Sequence, residues 1–209
     1  MAEYLSIESV TTMALIELPP PDAAKRVFLE GLGAKDSLQL NYSLPVYALS
    51  LEELGKADPI RPTALGWQFL TIDSKGFVCG EVSNEPDYRG GEIATTLTRG
   101  TAIDEAWKAY GAIREHPEVL KEPIELRRLR ISPLRIDAFW LKALPSDDVL
   151  GASDRVYPFV AFEEELKSKL LSAPDFLTIV RQLAAKAIVQ EAPRHRVKPK
   201  PARNLRSER

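Results

Sequence analysis

The chain has 209 residues, 28 Lys/Arg against 30 Asp/Glu for a net charge of −2, and 44% apolar residues. That suffices for one domain, or two small ones, with a buried core and no staples. A single cysteine, Cys79, rules out an internal disulfide and a cysteine-rich zinc site, and no run approaches the ~18 consecutive apolar residues that span a bilayer.

The first residues carry acids and no basic n-region, and the apolar run from Met13 to Leu18 is too short for a signal h-region. A cytoplasmic protein is the expectation. Residues 1–18 read as a loosely attached arm or a strand. After Pro19-Pro20-Pro21, Asp22 caps a helix near 23–32, with Ala24, Val27, Phe28 and Leu32 at helical spacing and glycines at its end. Residues 44–51 read as a strand that leads into a turn of helix at Leu51–Leu54.

The clearest local pattern is a hairpin at 66–83. Asp73-Ser74-Lys75-Gly76 fits a type I turn with Gly76 as the left-handed bulge residue. That register sets Ile72 opposite Val78, Leu70 opposite Gly80 and Gln68 opposite Val82. Both faces are largely apolar, so the hairpin is expected in the middle of the sheet. Downstream, Ile93, Leu97, Gly100, Ile103, Trp107, Tyr110 and Ile113 recur at spacings of three and four, which predicts one helix over 92–115. A shorter helix starting at the capping-box-like Thr101-Ala102-Ile103-Asp104 is the alternative. Two strands follow, near 124–131 and 134–142, and Ser132-Pro133 breaks them where the apolar phase changes. Residues 156–162 add a short strand. Ser172-Ala173-Pro174-Asp175 starts a helix over 173–190, with Phe176, Val180, Leu183, Ala187 and Ile188 on its inner face.

Residues 194–209 hold seven Lys/Arg and one acid, Glu208. Taking these from the chain's 28 and 30 leaves 21 bases and 29 acids, so a body of net charge −8 carries a tail of +6. The tail lacks apolar residues to offset ordering entropy, and disorder is expected. The whole reads as an α+β fold: one globular domain over 1–193, built on a mostly antiparallel sheet with packed helices, and a basic tail.

Few residues carry chemistry. His116 lies at a helix end and His195 in the tail, where surface or capping roles fit both. Cys79 sits mid-strand between Val78 and Gly80 and reads as a small core residue. Gly90-Gly91 beside Arg89 matches no phosphate-binding loop. Trp67, Trp107 and Trp140 fall on inner faces and read as core. The carboxylates occur as runs (Glu52-Glu53, Asp147-Asp148, Glu163-Glu164-Glu165) that solvate loops.

The densest basic run in the body is Arg127, Arg128, Arg130 and Arg135. It reads either as a sheet face that pairs with Glu125 and Asp137 or as a patch for an anion or a partner. The tail residues Arg194, Arg196, Lys198, Lys200 and Arg203 are the other candidates for such contacts. No cofactor, metal or catalytic residue is expected. The function this inventory favours is a non-enzymatic interaction, scaffold or accessory module that binds another protein. A small enzyme using carboxylate and arginine chemistry is one alternative. A nucleic-acid-associated protein acting weakly through the tail is the other.

Overall fold

The computed structural model describes residues 15–16, 18–31, 42–73, 76–86 and 93–191. The strands are β1 (Leu15–Ile16), β2 (Tyr42–Ala48), β3 (Thr63–Asp73), β4 (Gly76–Pro86), β5 (Ile93–Thr98), β6 (Ile124–Ile131), β7 (Ile136–Ala143), β8 (Arg155–Val160) and β9 (Leu171–Ser172). The helices are α1 (Asp22–Gly31), α2 (Leu51–Leu54), α3 (Thr101–Arg114) and α4 (Ala173–Glu191). All nine strands join one sheet of order β5-β4-β3-β2-β6-β7-β8-β9, with β1 beside β6. Among the described strands, only β1–β6 and β2–β6 are parallel. The α+β class, the mostly antiparallel sheet and the helices packed on it agree with the sequence reading. Among the described residues, no helix is long and apolar enough to cross a membrane.

Strand alternation assigns the two faces. Tyr42, Leu44, Leu70, Cys79, Leu126, Phe139 and Phe159 meet α3 through Ile103, Ala106, Tyr110 and Ile113. Tyr110 stacks on Tyr42 with ring centroids 4.0 Å apart. On the other face, Leu129, Ile131, Ile136, Ala138 and Trp140 meet α4 through Phe176, Leu177, Val180 and Ala184. Further along that face, α1 sets Phe28 flat on Phe69 at 4.7 Å. Each such fully buried large side chain contributes about 1.5–3 kcal/mol.

Local chemistry explains most boundaries. Ser50 caps α2 in a full capping box with Glu53, each side chain meeting the other's backbone N–H. A 3₁₀ turn at Ser132–Leu134, with Pro133 inside it, separates β6 from β7 at the expected break. Gly66 has φ +153, and a Cβ there would lie 2.1 Å from the Val82 carbonyl oxygen. It stands beside the irregularity where β2 and β3 shift register between Val46 and Tyr47.

Three expectations need correction. Residues 93–98 form β5 and not the first turns of a helix. The Ile-Ala-Thr-Thr-Leu-Thr segment is rich in residues that suit a pleated surface, and Gly100, at φ +113, starts α3 at the later of the two predicted points. Thr101 is the first helical residue and not its cap, and Gly100 offers no side-chain cap. Within the hairpin, Ile72 pairs with Phe77, Leu70 with Cys79 and Gln68 with Glu81, one residue from the predicted register. Asp73 pairs directly with Gly76, so the loop is one residue shorter than a bulged turn requires. The shift places Gly80, not a side chain, opposite Phe69. Finally, Ile188 at the far end of α4 is exposed rather than inward. The stripe Val180–Ala184–Ile188 outruns the surface it packs on.

The tail, Tyr88, Arg89, Gly90-Gly91, Leu32 and His195 lie outside the described residues. Because β5 intervenes, Gly90-Gly91 precedes a strand rather than a helix.

Candidate functional site

Arg127 and Arg128 are consecutive in a strand, so they leave β6 on opposite faces. The arginine run is thereby divided between two separate networks.

On the α4 face, Arg127 is 3% exposed. Its Nε donates to Glu125 Oε1 at 2.5 Å, Nη2 to Ser146 Oγ at 2.6 Å and Nη1 to the Asp147 carbonyl at 2.7 Å. The guanidinium lies between two rings, 4.9 Å from the Tyr47 centroid and 4.6 Å from that of Trp140. Ser146 in turn donates to Glu125 Oε2. Tyr47 donates its hydroxyl to Asp148 Oδ1 at 2.9 Å. Burial, together with that bond to an anion, pushes the Tyr47 phenol up to about 12 against the pull of Arg127. Next to it, buried Asp154 accepts from Trp140 Nε1, Lys142 Nζ and the backbone N–H groups of Ala143 and Gly151. Lys142 also reaches Asp147 at 2.7 Å. These bonds tie loop 144–154 to the sheet, and each buried charge has an opposite charge beside it.

On the α3 face, Arg128 grips Asp137 with two parallel bonds of 3.1 and 2.9 Å. Arg130 grips Glu81 likewise, at 3.1 and 2.6 Å. Cross-links from Arg128 to Glu81 and from Arg130 to Asp137 close a ring of two cations and two anions. Burial alone would raise the Asp137 carboxyl, but the two guanidiniums outweigh it and hold it below the ordinary carboxylate range. The ring is electrically neutral, so it presents no net charge to an anion. Gln68 donates to Glu81 and to Cys79 Sγ beneath it. Burial pushes the Cys79 thiol up to about 11, more than Arg128 pulls it down. A thiol so protonated and so enclosed is a core residue, not a nucleophile at neutral pH. Among the described residues, no group of acids, histidines and cysteines is arranged to hold a metal ion.

Arg135 stands apart. It takes a left-handed conformation, φ 52, at the end of the 3₁₀ turn. Its guanidinium lies 5.6 Å from the ring of Phe162 and makes no ion pair among the described residues. Phe162 is 72% exposed, an unusual position for a large aromatic side chain. It borders a cavity of about 320 Å³ whose walls include Leu134, Ile136, Ala161, Leu166, Leu183 and Ala187. Lys186, also without an ion pair among the described residues, lies on the rim with Arg135, and Glu163 lines the same groove. Exposed Ile188 and Val189 directly follow on α4.

Two other hollows lie among the described residues. The larger, about 530 Å³, lies at the start of α4 beside Asp58 and Arg181. Arg181 is committed there to Asp58 Oδ1 at 2.9 Å and to the Leu54 and Lys56 carbonyls. The smaller, about 210 Å³, lies between β8 and the start of α3. His116 accepts from the Glu118 N–H at the turn after α3, a local cap. Trp140 is fully buried, whereas Trp67 and Trp107 are partly buried.

The sequence-predicted arginines thus occupy three places: Arg127 under loop 144–154, Arg128 and Arg130 in the neutral ring, and Arg135 at the groove. Arg194, Arg196, Lys198, Lys200 and Arg203 lie outside the described residues. Sequence reasoning missed Phe162 and the α4 residues it faces. The only sequence signal was an aromatic residue placed just before three glutamates. Comparison with known proteins gives no match: no family model, no curated protein and no solved structure aligns with the chain.

Proposed function

We propose that this protein is a non-enzymatic protein-interaction module whose docking surface is the groove beside Phe162. The observation that carries the reading is an aromatic side chain 72% exposed beside a mixed polar and apolar groove, lined by Arg135, Lys186 and Glu163 as well as by aliphatic residues, with neither cation in an ion pair among the described residues. Aromatic and arginine side chains are the usual anchors of protein interfaces. The occupant that fits is an amphipathic helix from a partner protein. It lies along α4, inserts a large apolar side chain among Leu166, Leu183 and Ala187, and sets acidic residues against Arg135 and Lys186. Residues 1–193 carry −8, and with Glu163 also on the groove the two cations, unpaired among the described residues, leave it a net +1 that gives an acidic partner a local reason to choose this face.

Neither alternative function finds a free cation at Arg127, Arg128 or Arg130, since each is paired with a carboxylate.

The test is affinity capture with the full chain, followed by titration of the recovered partner and its isolated helical segment. Phe162→Ala and Arg135→Glu should each weaken that segment's binding at least tenfold while leaving the circular dichroism spectrum unchanged. Binding that ignores both substitutions, or a partner segment that is basic and extended, would overturn the reading.

A further inference from the structure

The hollow at the start of α4 encloses about 530 Å³, within the size range of small-molecule sites. Three segments wall it: residues 58–59, residues 149–152 and the first turns of α4. Each is tied to its neighbours. From α4, Arg181 donates through Nε to the Leu54 carbonyl at 3.2 Å, and through Nη2 to the Lys56 carbonyl at 3.2 Å and Asp58 Oδ1 at 2.9 Å. The Leu150 N–H donates to the Ile60 carbonyl at 3.0 Å, and the Ala173 N–H to the Asp154 carbonyl at 2.9 Å. The walls are therefore held in place before anything enters, which lowers the cost of binding.

The chemistry of the walls is divided. Pro59, Val149, Leu150 and Leu177 are apolar, and Asp58 with Arg181 forms one ion pair of zero net charge. Three of the five guanidinium N–H groups serve the bonds to residues 54–58, and the two on Nη1 serve none among the described residues. Asp58 Oδ2 likewise accepts no bond among the described residues. The end of α4 adds no demand for an anion, because its first amides are answered: Ala173 by the Asp154 carbonyl and Asp175 by Ser172 Oγ at 3.2 Å, with Pro174 carrying no N–H.

We infer that this hollow binds a small neutral molecule with an apolar body and one carboxamide group. The body lies against Leu150 and Leu177. The amide carbonyl accepts from Arg181 Nη1 and the amide N–H donates to Asp58 Oδ2, so both members of the ion pair gain a partner. A carboxylate in the same place meets Asp58 and an ammonium meets Arg181, and each like-charge contact selects against the ion.

The experiment uses the full chain, isotope-labelled for amide spectra, and three compounds with one alkyl tail: hexanamide, hexanoate and hexylammonium. Hexanamide should give saturable shifts of the Gly151, Ala152, Leu177 and Thr178 amides, and the two ions should bind at least tenfold more weakly. The Asp58 side chain is 71% exposed, so Asp58→Asn is a mild change for the fold. It removes the anion and should strengthen hexanoate binding at least tenfold. Absence of shifts at these amides with all three compounds overturns the inference. So does a parent chain that binds hexanoate as tightly as hexanamide, or an Asp58→Asn chain that keeps the parent's weak hexanoate binding. Phe162→Ala should leave the hexanamide shifts intact, so failure at this hollow and failure at the groove are separate results; shifts lost in that variant would place the compound at the groove and overturn the inference too.

Discussion

Arg127 offers the most direct test of whether the arginine run binds a partner or holds the fold. Its Nε lies 2.5 Å from Glu125 Oε1, and both side chains are almost fully buried. At an effective dielectric of ~20, that separation corresponds to about 7 kcal/mol of gross attraction. Desolvation of two ions offsets most of it, at several kcal/mol each, so the intact pair is close to neutral for stability. Removing one partner is different, because Glu125 stays buried and keeps only Ser146 as a donor among the contacts described. Arg127→Met should therefore cost about 3–5 kcal/mol, which in a domain of this size lowers the melting temperature by about 6–20 °C. Glu125→Leu should be costly for the mirror reason. The double variant should cost about 2–3 kcal/mol less than the sum of the singles, since neither charge is then stranded.

Urea unfolding followed by tryptophan fluorescence suits this cycle, because Trp140 lies directly against the Arg127 guanidinium. A single substitution costing under about 1 kcal/mol would refute a clamping role. Additive singles would refute the coupling. If Arg127 instead served a ligand, Arg127→Met would abolish binding while the unfolding midpoint stayed in place.

Three further outcomes follow from the same geometry. The Asp137 carboxyl is held below its unfolded value, so its contribution to stability is complete above the ordinary carboxylate pKa and is lost as pH falls through the folded one. Asp137→Asn should cost about 1.5–3 kcal/mol near neutral pH and flatten the stability profile below about pH 4; an unchanged acid limb in thermal melts would contradict this. Gly66→Ala forces a Cβ against the Val82 carbonyl at positive φ and should destabilise by about 1–3 kcal/mol from the backbone alone, and a variant as stable as the parent in urea would refute the close approach. Cys79, at about 11, carries about a hundredfold less thiolate near pH 8 than an ordinary thiol. It should alkylate only on unfolding, and native labelling within tenfold of the denatured rate would refute its burial.

Where the sequence was legible, the signal was local. The turn of helix at Leu51–Leu54, the Ser132-Pro133 break and the start of α4 are each written within a few residues, and each appears in the structure. The misreadings come from segments whose fate is decided elsewhere. Ile93 and Leu97 fit a helical spacing, but β4 offers them an edge to pair with, and Gly100 ends any helix that tried to run through it. The hairpin turn residues fit a bulged loop, yet the register that forms brings Gln68 beside Glu81 and Phe69 over Gly80, contacts a turn motif cannot express. Glu81 is the clearest case among site residues. It lies on β4, 47 and 49 residues from the two arginines it joins, and no pattern along the chain links them.

The same physics explains why function was the least legible property. A cation's availability depends on what the fold sets beside it, not on the density of cations around it in sequence. Arg127, Arg128 and Arg130 form the densest run in the body and are all neutralised, while Arg135, the outlier, joins Lys186 at the groove.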